Sequence, residues 1–183
     1  MNFIIKEITK ETKDSIKNIF IEQWGSPQMV SRGKCYDLIE LPGFQALHNE
    51  RIIGMITFKM KQNEIEIISL DSIVENHGVG IRLLNEVINI AGKENIDRVC
   101  LVTSNDNTKA MRFFQKRGFK MKALHLNAVH DARKLKPDIP QTGYDGIPIE
   151  HEIEFEYILG KSENPQEVIK TINLEKWGIM ESS

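Results

Sequence analysis

Cysteine is scarce in this 183-residue chain: Cys35 and Cys100 are the whole complement, and their spacing is not that of metal ligands. That excludes a disulfide framework and a zinc pattern, so no metal is expected and both thiols read as small buried hydrophobes. Long apolar runs are missing as well; no window approaches the ~20 residues that cross a bilayer. The opening Met1-Asn2-Phe3-Ile4-Ile5-Lys6-Glu7 has no basic segment leading into an apolar stretch, and Met-Asn is not a myristoylation start. A cytoplasmic protein that does not engage a membrane is expected. Neither charge dominates: 24 Lys and Arg stand against 26 Asp and Glu, for a net charge of −2, with the signs interspersed. A dedicated nucleic-acid binder would show a basic face instead. Repeats and low-complexity tracts are also absent.

What is present is ordinary globular composition, 40% hydrophobic and 27% charged, in a length that suits one domain with a short appendage. Residues 3–8 read as a strand, and residues 9–24 as a helix with Ile16, Ile19, Phe20 and Trp24 on one stripe. Residues 25–43 carry three glycines and two prolines and read as a long loop. Strands follow at 44–47 and 52–59, joined by a tight turn at Asn49-Glu50, then at 65–73. The period then changes to that of a helix from about Gly78, with Leu83, Leu84, Val87, Ile88 and Ala91 on one face. A short strand at 99–102, a helix at 107–117 stopped by Gly118, and a strand at 119–126 come next. Residues 152–159 alternate Glu152, Glu154 and Glu156 against Ile153, Phe155 and Tyr157, a strand with one wet face. The order predicts a mixed-sheet α/β (α+β) domain over residues 1–160. From Asn164-Pro165-Gln166-Glu167 a capped helix is expected, making residues 161–183 an extension packed on the domain or, alternatively, a homodimer contact.

Two segments carry chemistry. Leu70-Asp71-Ser72-Ile73 runs through Val74-Glu75-Asn76 into His77-Gly78-Val79-Gly80-Ile81-Arg82, joining a buried strand to a helix. Glycines there let a ligand approach the backbone, and free N–H groups at a helix start favour an anion such as a pyrophosphate. Alone, Gly-x-Gly is more often a structural turn than a phosphate site, and Leu83 occupies the place where a dinucleotide fold wants its third glycine. The second segment is Asn107-Thr108-Lys109-Ala110-Met111-Arg112-Phe113-Phe114, ending at Gly118-Phe119. By itself it is an amphipathic core helix with a basic outer face.

Together the two segments resemble the cofactor motifs of the GNAT superfamily of N-acetyltransferases. The first has the form (Gln/Arg)-x-x-Gly-x-Gly, here Glu75-Asn76-His77-Gly78-Val79-Gly80; the second has the form Asn-x-x-Ala-x-x-(Phe/Leu)-Tyr-x-x-x-Gly-Phe, here Asn107, Ala110, Phe113, Phe114, Gly118 and Phe119. The resemblance implies a GNAT-like acyl-CoA N-acyltransferase fold, in which the fourth and fifth strands splay and acetyl-CoA lies in the V between them. It implies that backbone of Leu70, Asp71, Ser72 and Ile73 holds the acetyl carbonyl and pantetheine arm. Amides from His77 to Arg82 (Gly78, Val79, Gly80 and Ile81 between them) would hold the pyrophosphate. Asn107, Ala110, Phe113 and Phe114 would flank the thiol end. Two departures stand out: Glu75 replaces the usual Gln or Arg, and Phe114 stands where many members carry a thiol-protonating Tyr.

The implied reaction is transfer of acetyl to a primary amine of a small molecule or peptide. A Lys-like amine, with pKa about 10.4, is neutral in about one molecule in 2500 at pH 7, a cost of about 4.6 kcal/mol that a base would relieve. Glu64 and Glu66 share one face of the fourth strand and are the base candidates, with a solvated carboxylate pair as the structural alternative. Residues 127–148 are rich in Pro and Gly, too much so for a regular element, yet Leu135, Ile139, Tyr144 and Ile147 give them apolar anchors. An ordered flap over the acceptor is expected, with Tyr144 and Asp145 contacting substrate; a packed surface loop is the alternative. Two other functions stay open: a degenerate member that binds acetyl-CoA or CoA as a sensor or assembly module without turnover, and transfer of a longer acyl group.

Overall fold

The first two elements follow the local signals closely. In the computed structural model, which describes residues 1–74 and 76–160, strand β1 is Ile4–Glu7 and helix α1 is Lys13–Trp24. A 3-10 turn at Lys10–Thr12 leads into α1, where Thr9 N–H donates to Thr12 Oγ1 (3.1 Å), and Gly25 closes the helix at φ 71°. The proline- and glycine-rich stretch after it departs from the expected loop. It holds a hairpin, β2 (Gln28–Ser31) and β3 (Lys34–Asp37), turning at Arg32 and Gly33 with φ 52° and 70°. Four-residue strands carry too few apolar positions to stand out against their turn residues.

Strands β4 (Gly43–His48), β5 (Arg51–Met60) and β6 (Glu64–Ser72) form an antiparallel meander, with Asn49 and Glu50 at φ 47° and 63° in the two-residue turn. Helix α2 (Val79–Lys93), β7 (Arg98–Ser104), α3 (Thr108–Gln115) and β8 (Lys120–His125) follow. Next comes a helix, α4 (Ala128–Leu135), which corrects the reading of residues 127–148 as lacking a regular element; strand β9 (Glu152–Ile158) closes the fold. The seven-stranded sheet runs β1-β4-β5-β6-β7-β9-β8, and its one parallel pair is β6 with β7. This is the expected mixed α/β architecture.

Each face of the sheet carries a core. Leu83, Leu84, Val87 and Ile88 of α2 pack with Ile65, Ile67, Val99, Leu101 and Phe155, and α3 adds Phe114 on the same side. On the other side Ile16 and Phe20 of α1 meet Tyr36, Leu38, Met55 and Ile68. Cys100 is buried as expected, but Cys35 is exposed on the hairpin. Among the described residues no helix is long and apolar enough to cross a membrane. The expected C-terminal helix and Glu75 lie outside the described residues.

Candidate functional site

A register break opens the sheet at its parallel seam. On β5, Thr57 faces Ser69 and Phe58 faces Ile67, so Ile68 is an extra residue in β6. A bulge of this kind turns two successive side chains to one face and sharpens the local twist. Ile68 and Ser69 both turn toward α1, where Ile68 joins the second core and Ser69 Oγ meets Thr57 Oγ1 at 2.8 Å. The β6–β7 ladder registers Glu64–Ile67 with Arg98–Leu101 and stops there, although β6 runs on to Ser72 and β7 to Ser104. The two strands therefore splay, as expected. The wedge between them is a cleft of about 570 Å³, bounded by β6 from Ile67 to Leu70 and by β7 from Leu101 to Ser104.

The helix start lies at the end of β6. Gly78 takes φ 74° as the residue before α2, a conformation that favours glycine, and Asn76 takes φ 61°. Arg82 N–H already bonds the Gly78 carbonyl (3.1 Å), and its guanidinium bonds the Phe3 carbonyl (3.0 Å) and stacks on the Phe3 ring. The amides left without a partner inside the helix are thus those of Val79, Gly80 and Ile81, and the Arg82 amide, also in the expected set, is already committed. A Cβ on Gly80 would sit 3.3 Å from the Phe113 ring, so the glycine lets α2 and α3 approach closely. His77 is exposed beside this turn. On β6 itself Leu70 lines the cleft, whereas the side chains of the next three residues do not. Asp71 accepts from Trp24 Nε1 (3.1 Å), and burial pushes its carboxyl up to about 6. Ser72 Oγ donates to the Val74 carbonyl (2.7 Å), and Ile73 N–H bonds the Ile53 carbonyl (2.9 Å).

Helix α3 supplies the opposite wall. Asn107 caps it, its Oδ1 accepting from Ala110 N–H at 3.1 Å, and Asn107, Ala110 and Phe114 all line the cleft. Phe114 is wall and core at once, packed edge-on against Phe113 and Phe119 with ring centroids 5.1 and 5.3 Å away. Phe113 faces Gly80 and the Arg117 guanidinium and is not part of the wall.

The carboxylates on the α1 side are neutralised one by one. Glu64 is bound by Lys61 (2.6 Å), Arg98 and Arg32, and its carboxyl falls to about 2; burial opposes the fall, and the bond from Lys61 and the neighbouring cations outweigh it. Glu66 is 0% exposed and takes bonds from Lys61 Nζ (3.0 Å) and Ser31 Oγ (3.3 Å). Neither lines the cleft. That corrects the assignment of Glu64 as base, since a carboxylate held so low has little affinity for a proton. Glu154 and Glu156 are tied to Arg98 at 2.5 and 2.9 Å. The face read as wet is in fact covered: Glu152 and Glu154 are buried, beneath Arg32 of the hairpin.

The segment between β8 and β9 closes the other side. Val129 and Ala132 of α4, then Ile139, Pro140, Gly143 and Tyr144, line the cleft, and Thr142 bridges Pro148. Asp106, buried beside the start of α3, accepts from Tyr144 N–H (3.2 Å) and fixes this flap. Tyr144 is 55% exposed at the rim; Asp145, at φ 55°, is exposed and outside the lining. Sequence reasoning passed over Trp24, Asp106 and Glu152, all of which line the cleft. The Glu152-Glu154-Glu156 alternation was the one available signal.

Comparison with known proteins agrees with this geometry. The family model described as Acetyltransferase (GNAT) family matches residues 10–119. The Bacillus subtilis protein YxbD is 42% identical over 142 residues, covering 77% of this chain and 89% of that protein. Among solved structures, an IAA acetyltransferase from Bacillus cereus superposes with a TM-score of 0.68 at 17% identity, covering 86% of this chain and 100% of the other. A GNAT family acetyltransferase from Elizabethkingia anophelis with acetyl-CoA bound gives 0.61 at 21% identity, over 86% of this chain and 99% of the other.

Proposed function

The chain belongs to the GNAT acetyltransferase family, and from that premise we propose that it moves an acetyl group from acetyl-CoA to a primary amine by direct attack in a ternary complex. The observation that carries this reading is the continuity of one cleft. It runs through the β6–β7 splay, from the α2 side of the sheet to the flap on the α1 side. A thioester entering from one side and an amine from the other would meet without either leaving the protein, which replaces a bimolecular encounter by a positioned one.

In this reading the N–H groups of Val79, Gly80 and Ile81 take the pyrophosphate, helped by the positive end of the α2 dipole. Backbone of β6 beyond Ile67, which has lost its parallel partner, takes the pantetheine arm and polarises the thioester carbonyl. Asn107, Ala110 and Phe114 flank the sulfur. Phe114 has no hydroxyl to give the departing thiolate, but a thiol pKa near ~8.5 makes it a fair leaving group without help. The Elizabethkingia enzyme, solved with acetyl-CoA bound, supports the choice of co-substrate.

Initial-rate kinetics with acetyl-CoA and an amine test the proposal. Direct attack gives double-reciprocal lines that intersect and no acetylated protein when acetyl-CoA is supplied alone. Parallel lines with a trapped acetyl-enzyme would replace it with a covalent route. Acetyl-CoA binding without turnover of any amine would favour the sensor reading.

A further inference from the structure

Among the described residues, five glutamates share the α1-side face of the splayed sheet: Glu64, Glu66, Glu152, Glu154 and Glu156. Four of them have a cation within 4 Å. Glu152 has none, although it is 7% exposed. It stands on β9 opposite Ser104, past the point where the β6–β7 ladder ends, and it lines the cleft. The backbone N–H of Arg32 at the hairpin turn favours its charged form but carries no net charge. The Arg32 guanidinium is directed instead to Glu64, Glu66 and Glu154, at 3.4–3.8 Å. A buried carboxylate short of a cation is costly, and the cost falls when a ligand supplies one.

The rest of that chamber narrows the choice of ligand. Its acceptor-side walls are Trp24, Met29, Val30, Val129, Ile139 and Ile149. The charged groups around Glu152 are Arg32 of the hairpin, His125 of β8 and Glu66 of β6, with Asp106, Lys136 and Asp138 elsewhere on the lining. Asp106 has one oxygen occupied by the flap and the other buried without a partner, and Asp138 is exposed. The Glu152 carboxylate, set among apolar walls, fits an ammonium on an apolar body. It does not suit an amino sugar, whose hydroxyls would lie against those apolar walls without partners.

Resting on the acetyl-transfer reading above, we propose that Glu152 receives the acceptor's ammonium and takes its proton, and that the acceptor is a small primary amine with an apolar body. One proton passes from the ammonium to the Glu152 carboxylate. The freed lone pair forms the C–N bond to the thioester carbonyl carbon, and collapse of the adduct breaks the C–S bond. The second nitrogen proton goes to the thiolate, giving amide and thiol, and Glu152 returns its proton to water. Burial raises the Glu152 carboxyl above the ordinary range, which brings its proton affinity closer to that of the amine.

The test pairs acetyl-CoA thermal shifts with kcat/KM for 2-phenylethylamine, hexylamine, spermidine and glucosamine, on wild type, Glu152→Gln and Glu152→Asp. Expected are preference for the two apolar amines by at least roughly tenfold and a fall of roughly 10²- to 10⁴-fold in Glu152→Gln. That fall shrinks as pH rises toward the amine pKa, Glu152→Asp restores part of the rate, and the acetyl-CoA shift is the same in all three proteins. A preference for spermidine or glucosamine, no turnover of the apolar amines, or a pH-independent loss in Glu152→Gln overturns the proposal. Should Glu152→Gln fail to fold, a Glu152→Asp variant with unaltered rate and pH profile overturns it as well. An acetyl-CoA shift missing from wild type strikes the acetyl-transfer reading itself, and this proposal with it.

Discussion

Replacing Arg98 with Met keeps the apolar stem of the side chain and removes the cation that holds the sheet's acidic face together. Arg98 reaches Glu64, Glu154 (2.5 Å) and Glu156 (2.9 Å), and its side chain is only 20% exposed. Breaking a buried pair by removing one partner costs about 3–5 kcal/mol. Here each carboxylate keeps a second cation: Lys61 for Glu64, Arg32 for Glu154 and Lys122 for Glu156. The low end, about 3 kcal/mol, is therefore expected at pH 7. For a domain of this size that lowers Tm by about 6–12 °C. The pH dependence follows from the carboxylates. Glu64 is lowered from 4.5 to about 2, and Glu154 and Glu156 are lowered as well; at Glu154 burial opposes the fall and the bonds from Arg98 and His125 together with the Arg32 charge outweigh it, and at Glu156 the Arg98 bond leads. Groups with depressed pKa stabilise the fold above their unfolded pKa and lose that contribution as pH falls through the folded one. The gap between wild type and Arg98→Met, followed by thermal unfolding, should be full above pH 5 and close between about pH 5 and 2. A gap of constant size from pH 7 to pH 3 would show that Arg98 acts through packing of its stem, and the electrostatic reasoning would fail.

Asp71 works in the opposite direction. Burial raises its carboxyl from 3.8 to about 6, so the folded state holds a proton that the unfolded state has lost, and stability falls as pH rises across that window. Asp71→Asn, which can still accept from Trp24, should stabilise the protein at pH 7 by about 3 kcal/mol and leave it unchanged below pH 4; destabilisation at pH 7 would contradict this. A Cβ on Gly143 would fall 1.9 Å from Asp106 Oδ2 and 3.0 Å from Ile149 Cδ1, so Gly143→Ala must displace the flap. A raised KM for the amine at unaltered acetyl-CoA affinity is expected, and unaltered KM values for both substrates would show that the flap has no acceptor role.

The elements proposed to hold acetyl-CoA were legible because their signals are local. Gly78 before a helix with an unbroken apolar stripe, and Asn107 as the cap of a second helix, are positions where backbone geometry dictates the residue. The splay was legible only through family resemblance. Its cause is one unpaired residue, Ile68, inside a run of apolar residues that gives no period by which to find a bulge. The β2–β3 hairpin and α4 were missed because glycine and proline around them masked short elements stabilised by the rest of the fold: Ala132 of α4 lines the cleft, and Lys136 just after it reaches the Gln28 carbonyl at 2.8 Å. The acidic residues were misread for a related reason. Alternating Glu on β9 looks solvated in sequence, because Arg32 and Arg98, which cover and neutralise that face, lie 120 and 54 residues before Glu152.

The central claim is that the V between β6 and β7, together with the start of α2, is an acetyl-CoA site. Isothermal titration calorimetry of acetyl-CoA into wild type and Gly80→Trp tests it most directly. A Gly80 side chain would press on Phe113, 3.3 Å from the position of a Cβ, and block backbone approach at the helix start. The account predicts one acetyl-CoA per wild-type chain, with binding abolished or weakened at least roughly 100-fold in a Gly80→Trp protein that remains folded; each tenfold is 1.4 kcal/mol. No heat of binding to wild type at millimolar acetyl-CoA, or equal affinity in the two proteins, would contradict it.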